Sequence, residues 1–162
     1  MADDTQSDET LTAEQMKANV IRLAFADNED RFDDFVRMIR DDAPPGTGAV
    51  LRGSAITGRR WKDGSPFDAD GPGTSDLDVT LVGSAAVGLF NPTGFFVPGV
   101  HSRPITDQEP GLAPQLMALR EALTVLAGRP VNLQASRQIV IRFRGDLLGQ
   151  PYLTLIDNTE HE

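Results

Sequence analysis

The 162-residue sequence has no cysteine, two histidines, one tryptophan and one tyrosine, and its 15 Lys and Arg are outnumbered by 24 Asp and Glu. Each scarcity excludes something. Without cysteine there is no disulfide scaffold, no thiolate zinc centre and no cysteine nucleophile. His101 and His161 alone leave little room for a histidine-rich metal site or a Ser-His-Asp triad. No apolar run approaches the ~18 residues that a membrane span requires, so no membrane partner is expected. The first residues, Met1-Ala2-Asp3-Asp4-Thr5-Gln6, have neither a basic region nor an apolar core, so no secretory signal is expected and a cytoplasmic location is. The net charge of −9 opposes passive adhesion to nucleic acid, which needs clustered bases. The chemistry that remains is that of carboxylates.

What is present suits one soluble domain: 40% of the residues are hydrophobic, enough for a core. The acidity is concentrated at the ends. Residues 1–42 hold 12 acidic and 5 basic side chains, residues 43–156 hold 9 and 10, and residues 157–162 hold 3 and none. The centre is therefore nearly neutral. Residues 1–10 read as a disordered acidic tail, and 11–158 as a single domain.

Thr12 and Gln15 have the spacing of a capping box, and Met16, Val20 and Leu23 continue at helical period, predicting a helix to about Ala26. Asn28 is placed to cap a second helix with Phe32, Phe35, Val36 and Ile39 on one face and Asp30, Asp33 and Asp34 on the other, a face read as solvated surface. Ala43-Pro44-Pro45-Gly46 ends it. Ala49-Val50-Leu51-Arg52 reads as a buried strand entering a tight turn at Gly53-Ser54. Residues 59–75 are an irregular insertion. Residues 76–82 alternate polar and apolar, which is the strand period; Leu77, Val79 and Leu81 then face the core and Asp76 and Asp78 project together from the other side. Residues 83–110 form a long Gly/Pro-rich segment, either a functional loop or a hairpin whose phenylalanines pack on the core. A third helix is predicted from Pro114 to Ala127, stopped by Gly128 and Pro130. Val131-Asn132-Leu133 is a short strand candidate, and residues 138–144 with 151–156 look like a β-hairpin turning at Gly145-Asp146. The order predicts an α/β (α+β) fold, a small mixed sheet covered by helices.

Two features carry chemistry. Gly53-Ser54-Ala55-Ile56-Thr57-Gly58 follows a strand, where glycine and a hydroxyl permit close approach of an anion. Asp76 and Asp78 lie ~6–7 Å apart along one strand, and side-by-side carboxylates repel unless a hard cation such as Mg²⁺ neutralises them. The Gly-Ser turn followed by Asp-x-Asp on the next strand resembles the DNA polymerase β-type nucleotidyltransferase superfamily, in particular its small single-domain members, over roughly residues 49–133. The resemblance implies that Gly53 and Ser54 bind the β- and γ-phosphates of a nucleoside triphosphate. It implies that Asp76 and Asp78 hold two Mg²⁺ ions while an acceptor hydroxyl attacks the α-phosphorus and pyrophosphate leaves. Gly58, Arg59 and Arg60 adjoin the phosphate turn; with Lys62 the two arginines are read either as a positive flap over the phosphates or as exposed surface.

The sequence departs from that pattern in two places. Twenty-one residues separate Ser54 from Asp76, a surface insertion that costs little closure entropy. The family's third carboxylate falls on a strand after the following helix, where this chain has Asn132. Either Asn132 is the equivalent residue and activity is impaired, as the local pattern favours, or Asp157 on the last strand fills the role, with Asp146 a weaker candidate. Other classes remain open. One is an impaired nucleotidyltransferase-like binding or antitoxin-type module that works with a helical partner protein. Another is a Ca²⁺ site built from Asp63, Asp68, Asp70, Asp76 and Asp78, although the spacing departs from an EF-hand loop. A Rossmann site is disfavoured, because no Gly-x-Gly-x-x-Gly opens a helix. The short chain favours a small-molecule or protein acceptor over a long nucleic acid, with residues 83–110 the first place to seek acceptor contacts. His101 reads as a plain surface residue.

Overall fold

A computed structural model describes residues 11–60 and 63–158; the expectations for the tail, for Lys62 and for His161 lie outside the described residues. Helix α1 spans Ala13–Ala24. Its capping box is formed in both directions: the Gln15 amide N–H donates to Thr12 Oγ1 at 3.1 Å and the Thr12 N–H to Gln15 Oε1 at 2.8 Å. After a turn through Ala26 and Asp27, helix α2 spans Glu29–Asp42, with Asn28 accepting from the Arg31 N–H. Phe25 in that turn meets Phe32 and Phe35 edge-on, at 5.7 and 5.3 Å between ring centres. The two helices are thereby locked to each other.

The chain continues through strand β1 (Gly48–Arg52), a helical turn α3 (Ser54–Thr57), β2 (Leu77–Val82), a second turn α4 (Ser84–Val87), β3 (Phe95–Val97) and β4 (His101–Ser102). Two 3₁₀ turns at Pro110–Leu112 and Pro114–Leu116 lead into α5 (Met117–Ala127), which Gly128 ends in the left-handed conformation. Strand β5 (Val131–Ser136), helix α6 (Gln138–Asp146) and strand β6 (Leu153–Ile156) complete it. The six strands form one mixed sheet in the order β3-β4-β5-β2-β1-β6. Only β2 and β5 are parallel, as the crossover through α5 requires; β1 runs antiparallel to β2 and to β6. The fold is thus a small α+β domain with a mixed sheet.

One face of the sheet is the core. Leu77, Val79 and Leu81 of β2, Val131, Leu133 and Ala135 of β5, and Ala49 and Leu51 of β1 are all buried in one cluster with Val20, Phe25, Phe35, Ile39, Leu119 and Leu123 of the helical layer. The strand period expected over residues 76–82 is observed over Leu77–Val82, with Asp76 just before it. The opposite face is only partly covered: Val50, Val82 and Ile141 form a small separate cluster under α6, with Tyr152 against it.

The expected hairpin of residues 138–144 and 151–156 is not formed. Residues 138–146 are helical, and 153–156 pair with β1 instead. The run Ile139-Val140-Ile141 leaves the outer edge of β6 unpaired and, as a helix, sets Ile141 on Val50 and Val82. Residues 83–110 resolve as the hairpin reading: β3 and β4 pair, Phe90 is buried and Phe95 meets it at 6.5 Å. The insertion is pinned rather than free. Asp68 accepts from the Ser75 N–H at 2.9 Å, and from Arg129 Nη1 at 2.9 Å in an ion pair whose two side chains are largely buried. Arg129 also stacks 4.6 Å above the Phe67 ring. Burial opposes ionisation of Asp68, but Arg129 and the backbone donors hold its carboxyl below the usual range.

Candidate functional site

Sheet register assembles the site. Arg52 of β1 is opposite Asp78 of β2, and Asp78 is level with Asn132 of β5. A strand presents alternate residues to one face, so Arg52, Asp78 and Asn132 form a row across three strands on the side away from the core. Asp76, one residue before β2, stands beside them. Asn132 Nδ2 donates to Asp76 Oδ2 at 2.7 Å and to Asp78 Oδ1 at 3.1 Å, bridging the two carboxylates.

The Gly53 turn closes on the same point. Gly53 adopts φ 103°, a conformation that an L side chain rarely tolerates, and a Cβ there would stand 3.0 Å from Asp78 Oδ2. Glycine is required on both counts. Ser54 opens the short turn α3, whose Ala55 and Ile56 are buried; Asn19 of α1 donates to the Ile56 carbonyl at 2.9 Å and so fixes α3 to the helical layer. Gly58 ends α3 in the left-handed conformation. The Gly-Ser turn and the aspartates therefore meet at one end of the two central antiparallel strands.

A second polar row lies one step further along. Gln134 accepts from Arg52 Nη2 at 2.6 Å and donates to the Ser102 carbonyl at 2.8 Å, with His101 Nε2 3.5 Å from its amide nitrogen. His101 Nδ1 lies 3.0 Å from Ser136 Oγ. His101 is therefore a buried residue at the site and not surface, a correction to the sequence reading: β4 carries it onto the edge of β5 opposite Ser136.

Burial and mutual repulsion set the charges. Burial first, and then the neighbouring Asp76, push Asp78 up to about 6 against the opposing effects of Asn132 and Arg52. Burial and then Arg144 bring Arg52 down to about 10, while Asp78 works the other way. Burial, Arg144 and Arg52 push His101 down to about 4. The carboxylate pair is thus short of positive charge at neutral pH. Two carboxylates and an amide make an all-oxygen set once the Asn132 amide turns to present Oδ1, and hard cations such as Mg²⁺ take such sets with water completing the shell. Among the described residues no cluster of three or more His, Cys, Asp or Glu exists, so any ion at this site depends on Asp76, Asp78 and the amide.

Other expected residues fall elsewhere. Asp157 follows β6, whose Ile156 pairs with Ala49 near the start of β1. It is therefore exposed at the opposite end of the sheet from Gly53 and does not complete this site. Asp146 ends α6 and is exposed. Arg60 pairs with Asp70 at 2.9 Å, and Arg59 donates to the Gly64 carbonyl at 3.1 Å. Asp63 accepts from Ser65, so Asp63, Asp68 and Asp70 each serve a different partner.

Beyond Asp78 the partly covered face opens into a pocket of about 680 Å³ lined by Arg52, Arg59, Gln134, His101, Phe143 and Arg144 among others. Gly53 and Asp78 also line it; with Arg59 these are the lining residues that the sequence marks, whereas Arg52, Gln134, Phe143 and Arg144 carry no such mark. Arg52 sits in the apolar run Ala49-Val50-Leu51-Arg52, and its parity with Asp78 was readable only once the register of β1 on β2 was known.

These features define a small mixed α/β domain with an acidic pair, a glycine turn and an arginine-lined pocket at one sheet end. Compared with family models, with curated proteins and with solved structures, the chain matches none.

Proposed function

We propose that the protein is a Mg²⁺-dependent nucleotidyltransferase that moves a nucleoside monophosphate from a nucleoside triphosphate to a hydroxyl acceptor. The observation that carries this reading is the meeting of Gly53 with Asp78 beside Asp76 and Asn132, at the mouth of a pocket large enough for a second substrate. When bound, Mg²⁺ neutralises phosphate oxygens and lowers the barrier to attack at phosphorus. Asp76 and Asp78 would hold it, with the Asn132 amide as an auxiliary ligand. Gly53 lets the backbone approach the triphosphate without a side chain intervening, and Ser54 offers a hydroxyl there. The acceptor oxygen forms a bond to the α-phosphorus, the bond to the bridging oxygen breaks, pyrophosphate leaves with that electron pair, and the hydroxyl proton passes to water. Positioning and charge neutralisation supply most of what such a transfer needs.

The test is incubation of the full chain with each α-labelled nucleoside triphosphate, Mg²⁺ and a cell extract. Label should pass to an acceptor, and Asp76→Asn or Asp78→Asn should reduce transfer by about 10³-fold, given the several kcal/mol that metal assistance contributes. Equal labelling by the wild type and both variants would sink the reading.

Asn132 favours a second reading. An amide cannot take a proton from the acceptor, and here it spans the two carboxylates. A module that binds nucleotide and Mg²⁺ without turnover, acting through a helical partner protein, would bind nucleotide in calorimetric titration yet transfer no label.

A further inference from the structure

The pocket beyond Asp78 has the opposite charge from the molecule. Arg52, Arg59 and Arg144 line it against a single carboxylate, Asp78, in a chain of net charge −9. Among the described residues none of these three arginines has an ion-pair partner. Five arginines outside the pocket, Arg37, Arg60, Arg103, Arg120 and Arg129, each face a carboxylate at 2.6–2.9 Å. Arg52 and Arg144 are close enough to repel each other, and Arg52 Nε is buried with no hydrogen-bond partner. A buried donor left unpaired is costly unless a ligand completes it.

The walls are apolar. Phe96 of β3 and Phe143 of α6 line the pocket with Leu148. These three are 62%, 52% and 50% exposed, whereas Phe25, Phe32, Phe35 and Phe90 are buried. Exposed large apolar side chains gathered round a cleft mark a binding surface. Two aromatic rings suit a flat body.

We propose that this pocket holds the acceptor, and that the acceptor is a hydroxyl-bearing organic acid with a flat apolar body, its carboxylate or phosphate on Arg52 and Arg144. The ligand class rests on the pocket; its role as acceptor rests on the nucleotidyl-transfer reading. Asp78 lines the same pocket, so a ligand anchored on the arginines lies next to the carboxylate pair. Polycationic acceptors are disfavoured by the three guanidiniums.

The probes are 6-hydroxy-2-naphthoate, its neutral hydroxymethyl isostere and its aminomethyl cation, titrated against the full chain by ligand-observed NMR. The anion should bind about tenfold or more tightly than the neutral probe, as a charge-assisted contact allows, and the cation least. Arg144→Gln should reduce that preference to near one, and Phe143→Ala should weaken all three probes. Asp76→Asn should abolish Mg²⁺-nucleotide binding and leave naphthoate binding in place, so failure of the transfer reading and failure of the pocket assignment read out separately. Equal binding of the three probes, or a preference that survives Arg144→Gln, overturns the ligand class. Displacement of naphthoate by ATP with Mg²⁺ overturns the acceptor role, since the pocket would then be the nucleotide's own.

Discussion

Along β2 and β5 successive side chains enter two environments: Leu77, Val79, Leu81, Val131 and Leu133 point into the helical layer at 0–1% exposure, while Asp78, Thr80, Asn132 and Gln134 point to the half-covered face. These nine residues thus serve both stability and chemistry, divided by the two-residue period of a strand. The apolar face resembles the inside of any small domain. The polar face does not: it holds a carboxylate driven toward neutrality, a guanidinium with an unpaired nitrogen and a histidine that resists protonation. Polar groups concentrated under partial cover cost free energy, and the fold tolerates them because the other face is well packed.

The comparison breaks most clearly by truncating one side chain on each face. Leu133→Ala removes a fully buried leucine at the centre of the sheet, and we expect a loss of about 2–5 kcal/mol. That corresponds to a fall in Tm of roughly 5–15 °C for a chain of this size, measurable by calorimetry. Gln134→Ala, the next residue on the other face, should cost less, since it removes hydrogen bonds worth about 1 kcal/mol each. An equal cost for the two would show that the polar face is as structural as the apolar one.

The next effect has the opposite sign. Asp78 is raised to about 6 in the folded protein, above its unfolded value near 3.9. The folded state therefore binds the extra proton, and stability falls as pH rises from about 4 to 6. Above that window the ionised carboxylate costs at most about 3 kcal/mol. Asp78→Asn should accordingly stabilise the metal-free protein at pH 7.5 by about 1–3 kcal/mol while reducing transfer by about 10³-fold. A variant less stable than the wild type in urea unfolding would refute the assignment of strain to this carboxylate.

How much of this was legible in the sequence follows from the same two-residue period. The residues of β2 declare both faces by themselves, because Leu77, Val79 and Leu81 alternate with Asp78 and Thr80. Helices α1 and α2 declare their caps, Thr12 and Asn28, through short-range chemistry. Arg52, Gln134 and His101 were not legible as site residues, since each acquires its role from a neighbour 26 or more residues away, through pairing that no local pattern encodes. Residues 138–144 read as a strand for the related reason that Ile139-Val140-Ile141 suits either period, and the helix instead goes with the packing of Ile141 on Val50 and Val82, which are distant in sequence.

His101 sharpens the comparison within the polar face. Its folded value of about 4 lies below the ordinary 6.5. The stability it contributes is therefore complete above pH 6.5 and lost as pH falls toward 4. Asp78 does the reverse over nearly the same window, so the two contributions oppose each other. We expect the wild type to change by less than about 1 kcal/mol between pH 4.5 and 6.5 from this pair. Asp78→Asn should lose stability on acidification, because His101 is left unopposed, and His101→Gln should gain it. Parallel slopes for the two variants would mean that neither group carries the shift.

The smallest net change is expected for Asn132→Asp in the presence of metal. Asn132 donates to both Asp76 and Asp78, so the substitution removes two charge-assisted hydrogen bonds and adds a third negative charge beside the two carboxylates. Without divalent cation this should cost about 1–3 kcal/mol. With three carboxylates the site should bind Mg²⁺ more tightly, and ligand binding stabilises the folded state in proportion to the logarithm of concentration over Kd. At millimolar Mg²⁺ the variant should therefore return to within about 1 kcal/mol of the wild type, with a steeper dependence of Tm on Mg²⁺. A rise in transfer rate alongside that recovery would identify the amide as the element that restrains turnover. If instead Mg²⁺ leaves the Tm of the variant unmoved, the row of Asp76, Asp78 and residue 132 is not a metal site, and the division between the two faces is one of packing alone.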